Sequence, residues 1–279
     1  MLFNDIKMKF PLGKAKCLTL SYDDGVLQDK KLIQILNKYN IKATFNLNSG
    51  MFGQVDSFIY EGKKVIHNHV AKEEIPEVYK GHEVAIHTVS HPHLENLTKI
   101  GITSEVFRDK QALEDLLDYP VRGMAYPYGT YNDAVVDVLK SLEVEYSRTT
   151  KEHHGFYLPE DTLRLEATCH HAYPKLMELG AKFLKDEGPD MKLFYLWGHS
   201  YEFDTYDNWS IIENLSSLLA YKLDIWYATN IEVFDYLKAL KELKFSCNAK
   251  SVYNPTGLIL YFTKEDIPYE IKPGSTILL

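Results

Sequence analysis

Three cysteines in 279 residues, at positions 17, 169 and 247, are too few and too scattered for a disulfide framework or a thiolate zinc site. No apolar run approaches membrane-spanning length, and the opening Met1-Leu2-Phe3-Asn4-Asp5-Ile6-Lys7 lacks the apolar core of a signal peptide. The chain as given is therefore expected in the cytoplasm, with no membrane partner. Basic residues are outnumbered, 31 Lys and Arg against 39 Asp and Glu, and a net charge of −8 offers nucleic acid no basic surface. Internal repeats, low-complexity stretches and charge blocks are also missing, which leaves an ordinary globular chain long enough for one large domain or two modest ones.

What is present is a regular alternation. Strand-like runs fall at 16–22, 43–48, 83–87, 123–126, 144–147, 193–197 and 224–229. Between them lie amphipathic stretches at 30–39, 104–117, 133–142, 173–184 and 211–219, and a last long helix is expected at 231–243. Such alternation implies an α/β fold with a parallel sheet, either a barrel or a strongly curved open sheet. Active sites in these folds collect at the C-terminal ends of the strands. From about Lys250 the pattern changes to short β-rich segments separated by Pro and Gly turns. The chain is thus divided into 1–245 and a β-rich extension, 246–279, suited to dimerisation or to covering the barrel base. Tyrosine is abundant, 20 against 13 phenylalanines, which suits a sugar-stacking cleft and equally suits half-buried strands.

The chemistry sits at strand ends. The run Leu18-Thr19-Leu20-Ser21-Tyr22-Asp23-Asp24-Gly25 reads as a buried strand that delivers two adjacent carboxylates at its C-terminal edge. A simple Asp-Gly turn is the plain alternative. A second strand, ending in His87-Thr88-Val89-Ser90-His91-Pro92, carries two imidazoles four positions apart. A helical zincin would put a glutamate between such histidines, and Pro92 turns His91 away from the helical region, so this is a loop site. Two histidines and an aspartate make a set of three ligands suited to zinc and its neighbours.

Taken together, these motifs resemble the polysaccharide deacetylases of carbohydrate esterase family 4, the NodB-homology enzymes, over roughly residues 15 to 230. Ser21-Tyr22-Asp23-Asp24-Gly25 is similar to the family's first motif and His87-Thr88-Val89-Ser90-His91-Pro92 to its second. Tyr126-Pro127-Tyr128-Gly129 resembles the core of the third, and Leu196-Trp197-Gly198-His199 the last. The resemblance implies a distorted (β/α)7-type barrel and a metal-dependent hydrolase that removes an N-acyl group, most often acetyl, from an amino sugar, an oligosaccharide or a related small substrate. It implies that Asp24, His87 and His91 hold one divalent ion, with zinc ahead of cobalt, nickel or manganese. Asp23 is then the general base and His199 the general acid. The backbone N–H of Tyr128 serves the oxyanion, Tyr126 lies with it in the substrate motif, and Gly129 keeps the turn tight. An O-acetyl esterase, a small-amide hydrolase or a non-catalytic carbohydrate-binding protein of the same fold are the other readings, and a homo-oligomer is open.

Two departures stand out. The arginine that precedes the family's third motif is replaced by Ala125, and Arg148, then Arg122, are the candidates to stand in for it. The fourth motif has no clear match. Asp161, Glu202 and Trp209 are the groups available to orient His199, while Tyr201, Glu202 and Phe203 are candidate pocket walls. Of the other histidines, His93 is read as structural, and His67, His69 and His82 receive no partner. The pairs His153-His154 and His170-His171 are expected in a loop over the cleft.

Overall fold

The computed structural model describes residues 5–279, so Met1 to Asn4 of the opening run lie outside the described residues. Its centre is a nine-stranded sheet in which every ladder is parallel. Strand Lys16–Asp24 is buried along its whole length, as expected for a strand covered on both faces. One of its edges pairs with Lys192–Gly198. The other is shared, Ile225–Tyr227 pairing with its first part and Thr44–Leu47 with its last. From Thr44–Leu47 the sheet continues through Glu83–Ile86, Gly123–Ala125 and Tyr146–Glu152 to Leu165–Ala167. No continuous ladder closes it. The extended segment 165–170 pairs first with Tyr146–Glu152 and then, as Cys169–His170, with Lys192–Gly198. Thr168 N–H donates to Tyr195 O at 2.8 Å across this hand-over, which gives the distorted barrel.

The expected strands are present with ends moved by a few residues, and the helices follow the amphipathic pattern. Asp29–Lys38 buries Leu32, Ile33, Ile35 and Leu36, and Asp133–Ser141 starts at Asn132, whose side chain caps Val135 N–H. The helix expected at 104–117 begins earlier and spans Lys99–Leu117, because Thr98 supplies its N-cap. Asn230–Lys241 opens on a capping box formed by Thr229 and Glu232. Among the described residues no helix is long and apolar enough to cross a membrane. The hairpin of Ser57–Tyr60 and Lys63–Ile66 was not legible, because its exposed strands lack a buried face to impose alternation.

The C-terminal segment forms two small antiparallel sheets. Ser251–Tyr253 pairs with both Lys244–Phe245 and Thr276–Leu278, and Leu260–Lys264 pairs with Ile267–Ile271 and with the N-terminal strand Ile6–Lys9. Phe10, Val252, Leu260, Phe262 and Ile271 share one apolar cluster with Leu193, Tyr195, Val233 and Phe234 of the barrel. Residues from both ends of the chain thus seal the barrel side opposite the strand termini that carry the acids. Phe262, 1% exposed, lies inside that cluster, so Phe262→Ala is expected to remove about 3–5 kcal/mol from one cooperative unfolding transition. Chemical denaturation followed by tryptophan fluorescence checks this. A separate early transition would make the segment an independent unit.

Candidate metal and catalytic site

Because the sheet is parallel and in register, the termini of several strands meet at one rim. Asp23 and Asp24 pair with Asn46 and Leu47, and the strand of Asn46 pairs in turn with that of Ala85 and Ile86, immediately before His87. These termini surround a cavity of about 560 Å³ lined by Asp23, Asp24, His87, His91, Tyr128 and His199 among others. A cavity of about 530 Å³ elsewhere, lined by Met8, Leu158, Met191 and Phe234, contains no such set.

The strand leaves the extended conformation at Asp24, φ 80°, and the two acids meet different sets of partners. Asp24 turns its Oδ1 to His87 Nε2 at 3.5 Å and to His91 Nε2 at 3.7 Å. Two donors about 2.0–2.2 Å from one ion at tetrahedral angles stand roughly 3.3–3.6 Å apart, so this spacing fits a shared divalent cation. His87 Nδ1 lies 2.8 Å from Ala125 O, and since a carbonyl only accepts, Nδ1 carries a proton and Nε2 is the nitrogen able to face a cation. In the metal-free chain burial opposes the charged ring, but Asp23 and Asp24 outweigh burial and raise the His87 pKa. His87 N–H is fixed by Leu47 O and by the buried Asp109 carboxylate. Burial, with the nearby His87, lowers the His91 pKa to about 4, which keeps its lone pair available. The residues present therefore fit a metal ion, which Asp24, His87 and His91 could hold.

Asp23 turns the other way. Its Oδ1 accepts from Asn46 Nδ2 at 2.8 Å and its Oδ2 from Arg148 Nη2. Burial would raise its pKa, but the Arg148 guanidinium, with smaller contributions from His87 and His199, holds it below the ordinary carboxylate value. Arg148 is fully buried. It donates from Nη1 to Thr149 O at 3.1 Å and from Nε to Ser21 Oγ at 3.3 Å, and it lies over the Trp197 ring at 4.5 Å. Ala125 and Arg148 are direct partners across adjacent strands, so the guanidinium reaches Asp23 from one strand beyond the position where the family carries its arginine. Arg122 is elsewhere, paired with Asp235 at 2.7 Å and Glu145 at 3.1 Å.

His199 stands across the cavity, its Nε2 3.9 Å from Asp23 Oδ2 and its Nδ1 3.5 Å from Glu202 Oε1. Burial opposes its charge, but Glu202 overcomes that and the pKa rises to about 9. Glu202 Oε2 also meets His170 Nε2 at 3.1 Å and His171 Nε2 at 3.0 Å. Burial pushes the Glu202 pKa up, and the imidazoles outweigh it to hold the carboxyl far below its usual range. His170, His199 and Glu202 bring donor atoms as close together as the first set does. Here, however, Ala172 N–H donates to His170 Nδ1 at 3.1 Å. The His170 proton therefore sits on Nε2, facing Glu202, and the group is a hydrogen-bonded hub rather than a second ion site.

Several of these residues occupy the left-handed region rarely used by side-chain-bearing residues: Asp24 at φ 80°, Thr88 at 71°, His91 at 54° and Tyr128 at 58°. Tyr128 is half exposed at the rim, with the His93 ring stacked on it at 3.9 Å, so His93 shapes the rim. Gly129 admits no side chain, because a Cβ there would lie 2.3 Å from Thr150 Oγ1. Tyr126 borders the cavity, but its hydroxyl donates to Leu163 O at 2.7 Å and its ring is buried. Its side chain therefore braces the turn. Asp161 pairs with Arg164 on the surface, and Trp209 donates to Asp204, so neither touches His199. Tyr201 stacks on His199 and lines the cavity, whereas Phe203 is core.

Residues 12–147 match the family described as polysaccharide deacetylase. That stretch, just under half of the chain, resembles the family. The chain is 31% identical over 124 residues to a chitin deacetylase from Pestalotiopsis sp, covering 44% of this chain and 38% of that one. It is 26% identical over 140 residues to a peptidoglycan-N-acetylglucosamine deacetylase from Listeria monocytogenes, covering 49% and 27%. The chain spans less than half the length of these curated relatives. A solved Mycobacterium smegmatis structure, assigned as a polysaccharide deacetylase, has the same fold at a TM-score of 0.58 and 16% identity, over 84% of this chain and 94% of that one.

Sequence reasoning missed His67, whose Nε2 lies 3.1 Å from Asp24 Oδ2, and left Glu202 as one choice among three. The position of Glu202 three residues after His199, at the start of helix Tyr201–Thr205, was the available signal. His67 had none, because it arrives on the unread hairpin. His170 and His171 also differ from expectation: His170 ends a strand and His171 is buried against Phe203. Their strand was missed because it is short and interrupted at Thr168. With Arg148 removed, burial of Asp23 would lose the strongest charge that opposes it, leaving only the smaller contributions of His87 and His199. The Arg148→Met variant, free of metal, is therefore expected to show an Asp23 carboxyl pKa above the ordinary value by carboxyl carbon NMR, while Arg122→Met leaves it low.

Proposed function

We propose that this chain is a metal-dependent hydrolase that removes an N-acyl group, acetyl foremost, from an amino sugar or an N-acetylated oligosaccharide. The observation that carries the reading is the opposed environment of two neighbouring acids, Asp24 among imidazoles and Asp23 between a guanidinium and His199. The family match supports the reaction class. The chitin and peptidoglycan deacetylase relatives favour polymers of N-acetylated amino sugars as the substrate class.

Asp24, His87 and His91 would hold the ion, and zinc is the first choice for two imidazoles and a carboxylate. When bound, the ion supplies Lewis acidity to the acyl oxygen and lowers the pKa of a coordinated water. Asp23 is the base that takes a proton from the attacking water, and Arg148 keeps it ionised and oriented. The peptide N–H of Tyr128, a cavity-lining residue, would stabilise the developing oxyanion. His199, held as imidazolium by Glu202, gives its Nε2 proton to the departing amine.

Zinc-loaded Asp23→Asn is expected to keep its metal and to release acetate from N-acetylglucosamine oligomers about 10²- to 10⁴-fold more slowly than the parent. An undiminished rate would remove Asp23 as base. A second test follows from the sign of the His199 shift. The acid works only while protonated, so activity falls as pH rises through its pKa, and loss of the Glu202 charge lowers that pKa. Glu202→Gln should therefore move the alkaline limb of the rate profile to lower pH. A limb that stays in place would separate Glu202 from the acid.

A further inference from the structure

His67 reaches the acids by a route of its own. After the hairpin of Ser57–Tyr60 and Lys63–Ile66, the chain returns alongside the residues that follow Asp24. Leu27 N–H donates to Asn68 O at 2.8 Å, Val70 N–H to Gly25 O at 2.9 Å, and His69 bridges Val26. In an extended segment alternate side chains share a face, so this stitching turns the His67 and His69 rings toward the cavity together, at 4.6 Å. Tyr201 packs on the His67 ring at 5.1 Å and Phe58 at 5.4 Å, which fixes the plane of the imidazole.

The two oxygens of Asp24 then have separate partners. Oδ1 faces His87 and His91, and Oδ2 faces His67 Nε2 at 3.1 Å. An ionised carboxylate only accepts, so His67 Nε2 carries the proton and donates. A carboxylate with one oxygen committed in this way cannot swing to offer both to an ion.

We propose that His67 is a positioning residue for the metal site: its N–H holds Asp24 to a single-oxygen mode through Oδ1 and thereby sets the affinity for the divalent ion. The proposal rests on Asp24, His87 and His91 being the holders, as read above. Outer partners of metal-binding groups are worth about 10- to 100-fold in affinity.

The test is zinc affinity, read by competition with a chromophoric chelator, for the full chain and for His67→Phe, His67→Ala and His67→Gln. The Phe and Ala variants are expected to bind zinc about 10- to 100-fold more weakly. The Gln variant, whose amide can donate from nearly the same place as Nε2, should stay near the parent. Thermal melts of the metal-free proteins show whether each variant is folded, and a His67→Phe that fails to fold leaves His67→Ala carrying the same expectation. Unchanged affinity in the Phe or Ala variant overturns the proposal, as does a Gln variant as weak as Ala. Three imidazole donors counted by X-ray absorption in the zinc-loaded parent would make His67 a ligand and also overturn it. A parent that binds zinc with the expected His67 dependence yet releases no acetate would keep this role and lose the proposed reaction.

Discussion

A fully buried guanidinium is the constraint around which the rest of the rim is arranged. An unpaired arginine inside the barrel would cost several kcal/mol, and so would an unpaired carboxylate at Asp23. Each removes the penalty of the other, and Thr149 O, Ser21 Oγ, Asn46 Nδ2 and the Trp197 face satisfy the remaining donors and lone pairs. With Asp23 neutralised electrically but left ionised, the strand can end in a second acid one residue later without the two repelling each other into protonation. That second acid is free to face the imidazoles. Remove the guanidinium and Asp23 loses its main counter-charge, while Asp24 keeps its imidazole partners.

The protons on the ring nitrogens decide what each cluster of histidines is for. His87 and His170 both stand near a carboxylate, at 3.5 Å and 3.1 Å. The Ala125 carbonyl claims the Nδ1 proton of His87, leaving Nε2 to face a cation. The Ala172 amide donates to Nδ1 of His170, forcing the proton to Nε2 and into a hydrogen bond with Glu202. One backbone group, carbonyl in one case and amide in the other, separates a candidate ion site from a proton-holding hub. The positive φ values at Asp24, Thr88, His91 and Tyr128 belong to the same economy of space, since strand ends that must turn sharply while aiming side chains inward have few relaxed conformations available.

The parts of the site legible in the sequence were those that a single strand end delivers. Asp23 with Asp24, His87 with His91, and His199 each announce themselves by polar residues at the close of an apolar run. The parallel α/β sheet was legible from alternation, because buried strands and amphipathic helices differ in period, whereas the barrel followed only from the resemblance. Groups placed by pairing between distant segments were not legible in the same way. His67 depends on a hairpin whose exposed strands carry no clean period, and His170 on a strand broken at Thr168. Arg148 was placed ahead of Arg122 from its position at the end of a strand-like run, but the ladder that sets it beside Ala125 came only with the register. Glu202 needed the turn after His199 to start a helix.

Ala125 and Arg148 sit side by side across one ladder, and the charge that Asp23 needs comes from the second of them. The requirement is thus attached to a point in space beside a carboxylate rather than to a column in an alignment. A roster of active-site letters checked column by column would score this chain as lacking its arginine. The sheet supplies the same cation from the neighbouring address, so the inventory of a barrel's rim has to be taken across its seams as well as along its strands.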